Sequence, residues 1–84
     1  MPLSNKHLTF CDDIIGDGIT YRYIVSHMLN SYKIMSQIIQ SQNGIELPKD
    51  KYTLIRKTPN VIVIEFTTPP LKEELLYVLL IKVG

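Results

Sequence analysis

The side chains able to do chemistry are few. They are Cys11, His7 and His27, the acids Asp12, Asp13 and Asp17 set among Gly16 and Gly18, and the adjacent Glu73 and Glu74. Nucleophilic catalysis needs a base within hydrogen-bond reach of the nucleophile and a third group that orients the base. Cys11 with His7 or His27 offers the first two without the third, and no nucleophile elbow or oxyanion sequence accompanies them. Cys11 beside Phe10 therefore reads as a small buried hydrophobe, and His27 as a residue off its segment's main apolar stripe, either solvated or at the stripe's edge.

The acid-glycine stretch fails as a calcium loop, which needs oxygen ligands at its first, third, fifth and twelfth positions. Counted from Asp13, the third position is Ile15 and the twelfth Ile24; counted from Asp12, the sixth-position glycine becomes Asp17. These acids read as turn formers, with Asp17 or Thr20 capping a following helix. Glu73 and Glu74 would point ~100° apart on a helix and cannot share a substrate atom. The glycines match no phosphate-binding loop. The expectation is a protein without catalytic residues, metal site or cofactor, and not an enzyme.

Positive charge gathers at Lys49, Lys51, Arg56 and Lys57, interleaved with Tyr52 and Asn60. A basic two-stranded ribbon of this kind can contact phosphates. The plainer reading is that lysines blunt an exposed strand edge. Arg56 and Lys57 also point to opposite faces of a strand.

The chain that positions these groups has 84 residues, a net charge of +1, 45% hydrophobic and 20% charged residues. That is one small globular domain, too small for a covered parallel sheet and not basic enough overall for a nucleic-acid protein driven by net charge. One cysteine allows no intramolecular disulfide, and a free thiol suits a reducing compartment. No signal-peptide run opens the sequence, and the apolar run 75–81 is far short of the ~20 residues a membrane span needs. A soluble, cytoplasmic protein is expected. Alanine is absent while isoleucine, lysine, tyrosine and asparagine abound, a codon bias that suits an AT-rich genome such as that of a phage, a large DNA virus or a low-GC bacterium.

Residues 6–11 alternate loosely and suggest a short strand. Over 19–42, Tyr21, Val25, Met28, Tyr32, Met35 and Ile39 are spaced 4, 3, 4, 3, 4, which predicts one long amphipathic helix ended by Asn43-Gly44. Two β-branched runs flanking Thr58-Pro59-Asn60 predict a β-hairpin over 52–67, its second strand apolar on both faces and so central or covered. Residues 71–83 fit a helix or a third strand; Thr68, Pro69 and the following acids favour the helix.

The fold class that follows is α+β, a long helix lying on a small antiparallel sheet. A C-terminal segment apolar on nearly every side implies surface that one small domain cannot cover. The function expected is a protein-binding module, acting as inhibitor, adaptor or subunit, as a homodimer or with a foreign partner. Leu76, Leu80, Val83 and Leu29 are the candidate contacts. The alternative is nucleic-acid binding through Lys49, Lys51, Tyr52, Arg56, Lys57 and Asn60.

Overall fold

A computed structural model describes residues 9–83, and it replaces the expected α+β arrangement with an all-β one. Six strands follow in order: β1 (Thr9–Ile15), β2 (Arg22–Ser26), β3 (Ile34–Gln40), β4 (Tyr52–Thr58), β5 (Val61–Phe66) and β6 (Leu75–Lys82). A 3-10 turn at Lys49–Lys51 leads into β4. The strands form two antiparallel sheets ordered β1-β6-β3 and β2-β5-β4. Residues 6–8 of the expected first strand, with His7, lie outside the described residues.

The long helix does not form. Where it was expected stand β2, a connection over 27–33, and β3. The residues of its apolar stripe largely face solvent: Tyr21, Met28, Tyr32 and Met35 are exposed. The buried set is instead Val25, His27 and Leu29, then Ile34 and Ile38, spaced by two or four. That is strand periodicity. Local propensity points the same way: the window 19–42 has no alanine, one leucine, and β-branched Ile19, Thr20, Ile24, Val25, Ile34, Ile38 and Ile39. Gly44 does take a left-handed conformation (φ +71°), but it closes the turn after β3, its N–H donating to Gln40 O at 2.8 Å.

The C-terminal segment is a strand. Its apparent helix-start signals build a turn, in which the Glu74 carboxylate accepts the Leu71 N–H at 3.0 Å and Glu73 sits at φ +66°. That turn docks on the glycines after β1: Gly16 N–H donates to Glu74 O at 2.7 Å and Gly18 N–H to Pro70 O at 2.8 Å. Asp12 and Asp13 do not interrupt β1. Asp17 caps a turn rather than a helix, accepting the N–H groups of Ile19 and Thr20 at 2.8 and 2.6 Å and the Thr20 hydroxyl at 2.6 Å. Those bonds hold its carboxyl at a pKa of about 2.

The expected hairpin is present, with Pro59-Asn60 as its turn and a bulge between Arg56 and Thr58. Its second strand, β5, is central in its sheet. Ile62 and Ile64 are fully buried on the inner side, and Val63, between Ile24 and Ile55 on the outer side, is 1% exposed.

The core lies between the sheets. Ile14, Leu76, Val78, Leu80, Ile34 and Ile38 come from one inner face and Val25, Ile62, Ile64, Phe66 and Tyr52 from the other. Each such side chain contributes ~1.5–3 kcal/mol when fully buried. Tyr23 meets Phe66 edge-on at 5.7 Å between centroids, with Tyr52 tilted against the same ring at 6.3 Å. Leu29, from the connection after β2, completes the cluster.

Candidate functional site

Alternation along β6 assigns its even residues to the core and its odd residues to the outside. Of the four contacts expected from sequence, Leu76 and Leu80 are core residues, 2% and 0% exposed, and Leu29 is 5% exposed. They hold the sheets together and have no surface to offer a partner. Val83 alone is open.

The opposite face of β6 carries the surface. The register places Ile15, Leu75 and Ser41 in one row across the sheet, then Asp13, Tyr77 and Ile39, then Cys11, Leu79 and Gln37, then Thr9, Ile81 and Met35. Val83 N–H donates to Lys33 O at 2.8 Å, so pairing runs one residue past β3 and adds a last row of Val83 and Lys33. Ile15, Met35, Tyr77, Ile81 and Val83 are exposed and the apolar residues between them half-buried. Monomeric proteins seldom leave an apolar sheet face this continuous without a use for it. Cys11 lies on this face and is exposed, not buried as expected.

A second feature is the gap between the edge strands β3 and β4, a cleft of about 390 Å³ lined by Ile34, Met35, Ser36, Lys49, Tyr52, Leu54 and Arg56. Because the odd residues of β3 bond to β6, the backbone groups of its even residues point into this gap. Side chains from the other sheet cap them. Arg56 Nη2 donates to Ile34 O at 2.8 Å and its Nε to Tyr32 O at 2.9 Å. Lys49 Nζ donates to Ser36 O, to the Tyr52 hydroxyl at 3.1 Å, and lies 3.8 Å from the Glu46 carboxylate. Tyr52 in turn sits 3.1 Å from the Ser36 hydroxyl. Farther along β3, Leu47 N–H donates to Ile38 O and Gln40 N–H to Ile45 O, so residues 45–47 cover the rest of the edge.

Of the six nucleic-acid candidates, Lys49 and Arg56 thus converge on backbone carbonyls of their own protein, and Tyr52 on the Ser36 hydroxyl and Lys49. Lys51 stands exposed before β4 and Lys57 points out from the other side of the strand. Asn60 is tied into the hairpin turn, its Oδ1 accepting the Asn30 N–H at 2.7 Å and its carbonyl the His27 N–H at 2.9 Å. The fold does not gather the six on one surface.

His27 is buried, neither solvated nor at the edge of a helical stripe as expected. Its Nδ1 accepts the Leu29 N–H at 3.0 Å, which assigns the proton to Nε2, and that nitrogen has no partner among the described residues. Desolvation pushes its pKa below the ordinary 6.5. No cluster of three or more His, Cys, Asp or Glu side chains among the described residues is placed to hold a metal. No helix among them is long and apolar enough to cross a membrane.

Apart from Val83, sequence reasoning missed the outer-face residues because both alternating sets on β6 are apolar. Period 2 divides the strand into two sets without saying which one a second sheet will cover. Comparison with protein-family models, curated proteins and solved structures found no match.

Proposed function

We propose that this chain is a small non-enzymatic protein-binding module whose working surface is the outer face of the β1-β6-β3 sheet. The observation that carries the reading is the row of Ile81 and Met35 together with the row of Tyr77 and Ile39, the two flanking the row of Leu79. Ile81, Met35 and Tyr77 are large apolar side chains left open, with Ile39 half-buried beside them, on the outside of a sheet whose inner face is already filled. Removing them from water against a partner supplies association energy at ~25 cal/mol per Å² of apolar area. The engagement of Lys49 and Arg56 with Ser36 and Ile34 supports a structural role for the basic hairpin rather than a phosphate-binding one.

Chemical cross-linking in the source cell, read by mass spectrometry, tests this. Cross-linked protein partners, a second copy included, should be lost in Tyr77→Lys and Ile81→Lys variants that keep the wild-type thermal melt. Partners retained by both variants would overturn the assignment. So would retention of nucleic acid that weakens steeply with salt, the signature of phosphate contacts.

A further inference from the structure

The outer face has a charge pattern that says what it fits. On the described outward positions of its three strands and their continuation the only ionisable carboxylate is Asp13 and the only cation Lys33; Glu46, bridged to Ile39 at the β3 edge, is engaged by Gln37 and Lys49. Neither Asp13 nor Lys33 has an ion-pair partner among the described residues. They stand at opposite corners: Asp13 on β1 in the row of Tyr77, Lys33 beyond β3 in the row of Val83. With strands ~4.8 Å apart and outward residues ~6.7 Å apart along a strand, the two Cα atoms are roughly 22 Å apart. Their midpoint falls on the central strand between Leu79 and Ile81.

A two-fold axis lying in the interface must bring residue i of one copy onto residue j of the other, and j onto i. One carboxylate and one ammonium on the same apolar face meet that condition about an axis that crosses midway between them. Resting on the docking role given to this face, we infer that its partner is a second copy of this chain. The two outer faces pack together about an axis passing between Leu79 and Ile81. In that arrangement each Asp13 meets the second copy's Lys33 at either end of the interface. Leu79 and Ile81 pack near their own counterparts, and Tyr77 lies over Met35 of the second copy, a sulfur-aromatic contact.

A foreign partner would need its own cation and anion at this diagonal spacing; a second copy brings both by construction. The size of the face sets the strength. Five rows, spanning roughly 27 Å from first to last, across three strands about 14 Å wide give about 380 Å² of flat surface. A stable interface buries about 800 Å² per partner. The dimer is therefore reversible, and its population follows concentration.

Sedimentation velocity of the whole chain from about 5 to about 500 µM is the test, a range that brackets a micromolar equilibrium. The expected result is a mass rising from 9.7 kDa toward twice that value. Asp13→Lys and Lys33→Asp should each weaken association about tenfold or more, because both ends of the interface then hold like charges. The double variant Asp13→Lys/Lys33→Asp should restore it, and Ile81→Lys should abolish it, all with unchanged thermal melts. A monomer at every concentration overturns the self-partner and leaves the docking face to a foreign protein. A dimer that persists in Ile81→Lys overturns the face itself as well. A dimer lost in Ile81→Lys but unrescued by the double charge exchange overturns the two-fold arrangement.

Discussion

Arg56 and Ile34 join the two sheets across their open side. The guanidinium leaves β4, crosses the gap, and donates from Nη2 to the Ile34 carbonyl at 2.8 Å while its Nε holds the Tyr32 carbonyl at 2.9 Å. An edge strand presents such carbonyls to any passing strand unless something blunts them. Here the same two bonds blunt β3 and tie it to β4.

The first prediction concerns that clamp. Hydrogen bonds from a charged donor contribute about 1.5–3 kcal/mol, and the exposure of Arg56 puts this pair toward the lower end. Arg56→Ala should lower stability by about 1–2 kcal/mol, or roughly 4–16 °C in Tm for a domain this size. Arg56→Lys should recover only part of the loss, because an ammonium cannot present the fork that reaches both carbonyls. A thermal melt of Arg56→Ala matching the parent would contradict the clamp.

A second prediction follows from His27. Its folded pKa is depressed by burial, so the neutral form is favoured in the native state while the unfolded chain takes up a proton near 6.5. Its contribution to stability is complete above that value and is lost as pH falls through the lower, folded pKa. Urea midpoints should therefore drop on moving from neutral to mildly acidic buffer. In His27→Gln, which does not titrate, the drop over this window should shrink. Asp17, at about 2, adds its own loss only in much stronger acid, so the two are separable. An acid limb unchanged by His27→Gln would show that other groups set it.

How much of this could be read in advance depends on how each element advertises itself. The hairpin was legible because Thr58-Pro59-Asn60 carries turn chemistry between two β-branched runs, and β5 was legible as a central strand because Ile62, Val63 and Ile64 leave it no polar side. Segment 19–42 was not. The set Tyr21, Val25, Met28, Tyr32, Met35 and Ile39 matches a helix, while Tyr23, Val25, His27 and Leu29 with Ile34, Ser36 and Ile38 match two strands. The polar His27 and Ser36 disguised the second pattern. Tertiary pairing decided between them, since β3 finds β6 and β2 finds β5, partners far along the chain. The candidate contacts failed for a related reason: Leu76 and Leu80 belong to the right strand and the wrong face. Met28, which a helix would have buried, is 72% exposed, so Met28→Asp should leave the fold standing.

The third prediction separates two glycines. A Cβ on Gly16 would strike the Leu71 carbonyl oxygen and come within 2.8 Å of Pro70 Cβ and 2.9 Å of the Pro70 carbonyl carbon. Backbone cannot swing aside as a side chain can, so Gly16→Ala should cost about 1–3 kcal/mol or more and loosen the 70–74 turn. Gly44 has open space around it and needs only its left-handed φ. Gly44→Ala should cost about 1 kcal/mol, and Gly44→Asn less. Equal losses at the two sites, measured by chemical denaturation, would contradict the close approach at Gly16.

The most direct measurement compares neighbours on β6. Leu80 is fully buried between the sheets, and Ile81, one residue on, stands on the outer face. Leu80→Lys should abolish the cooperative melt, since an unpaired ammonium in the core costs several kcal/mol against a total stability of about 5–15. Ile81→Lys should melt like the parent and lose protein association. The reverse outcome, a folded Leu80→Lys and an unfolded Ile81→Lys, would mean that the core lies on the other side of the sheet. Equal unfolding by both would contradict the free outer face on which the proposed function stands.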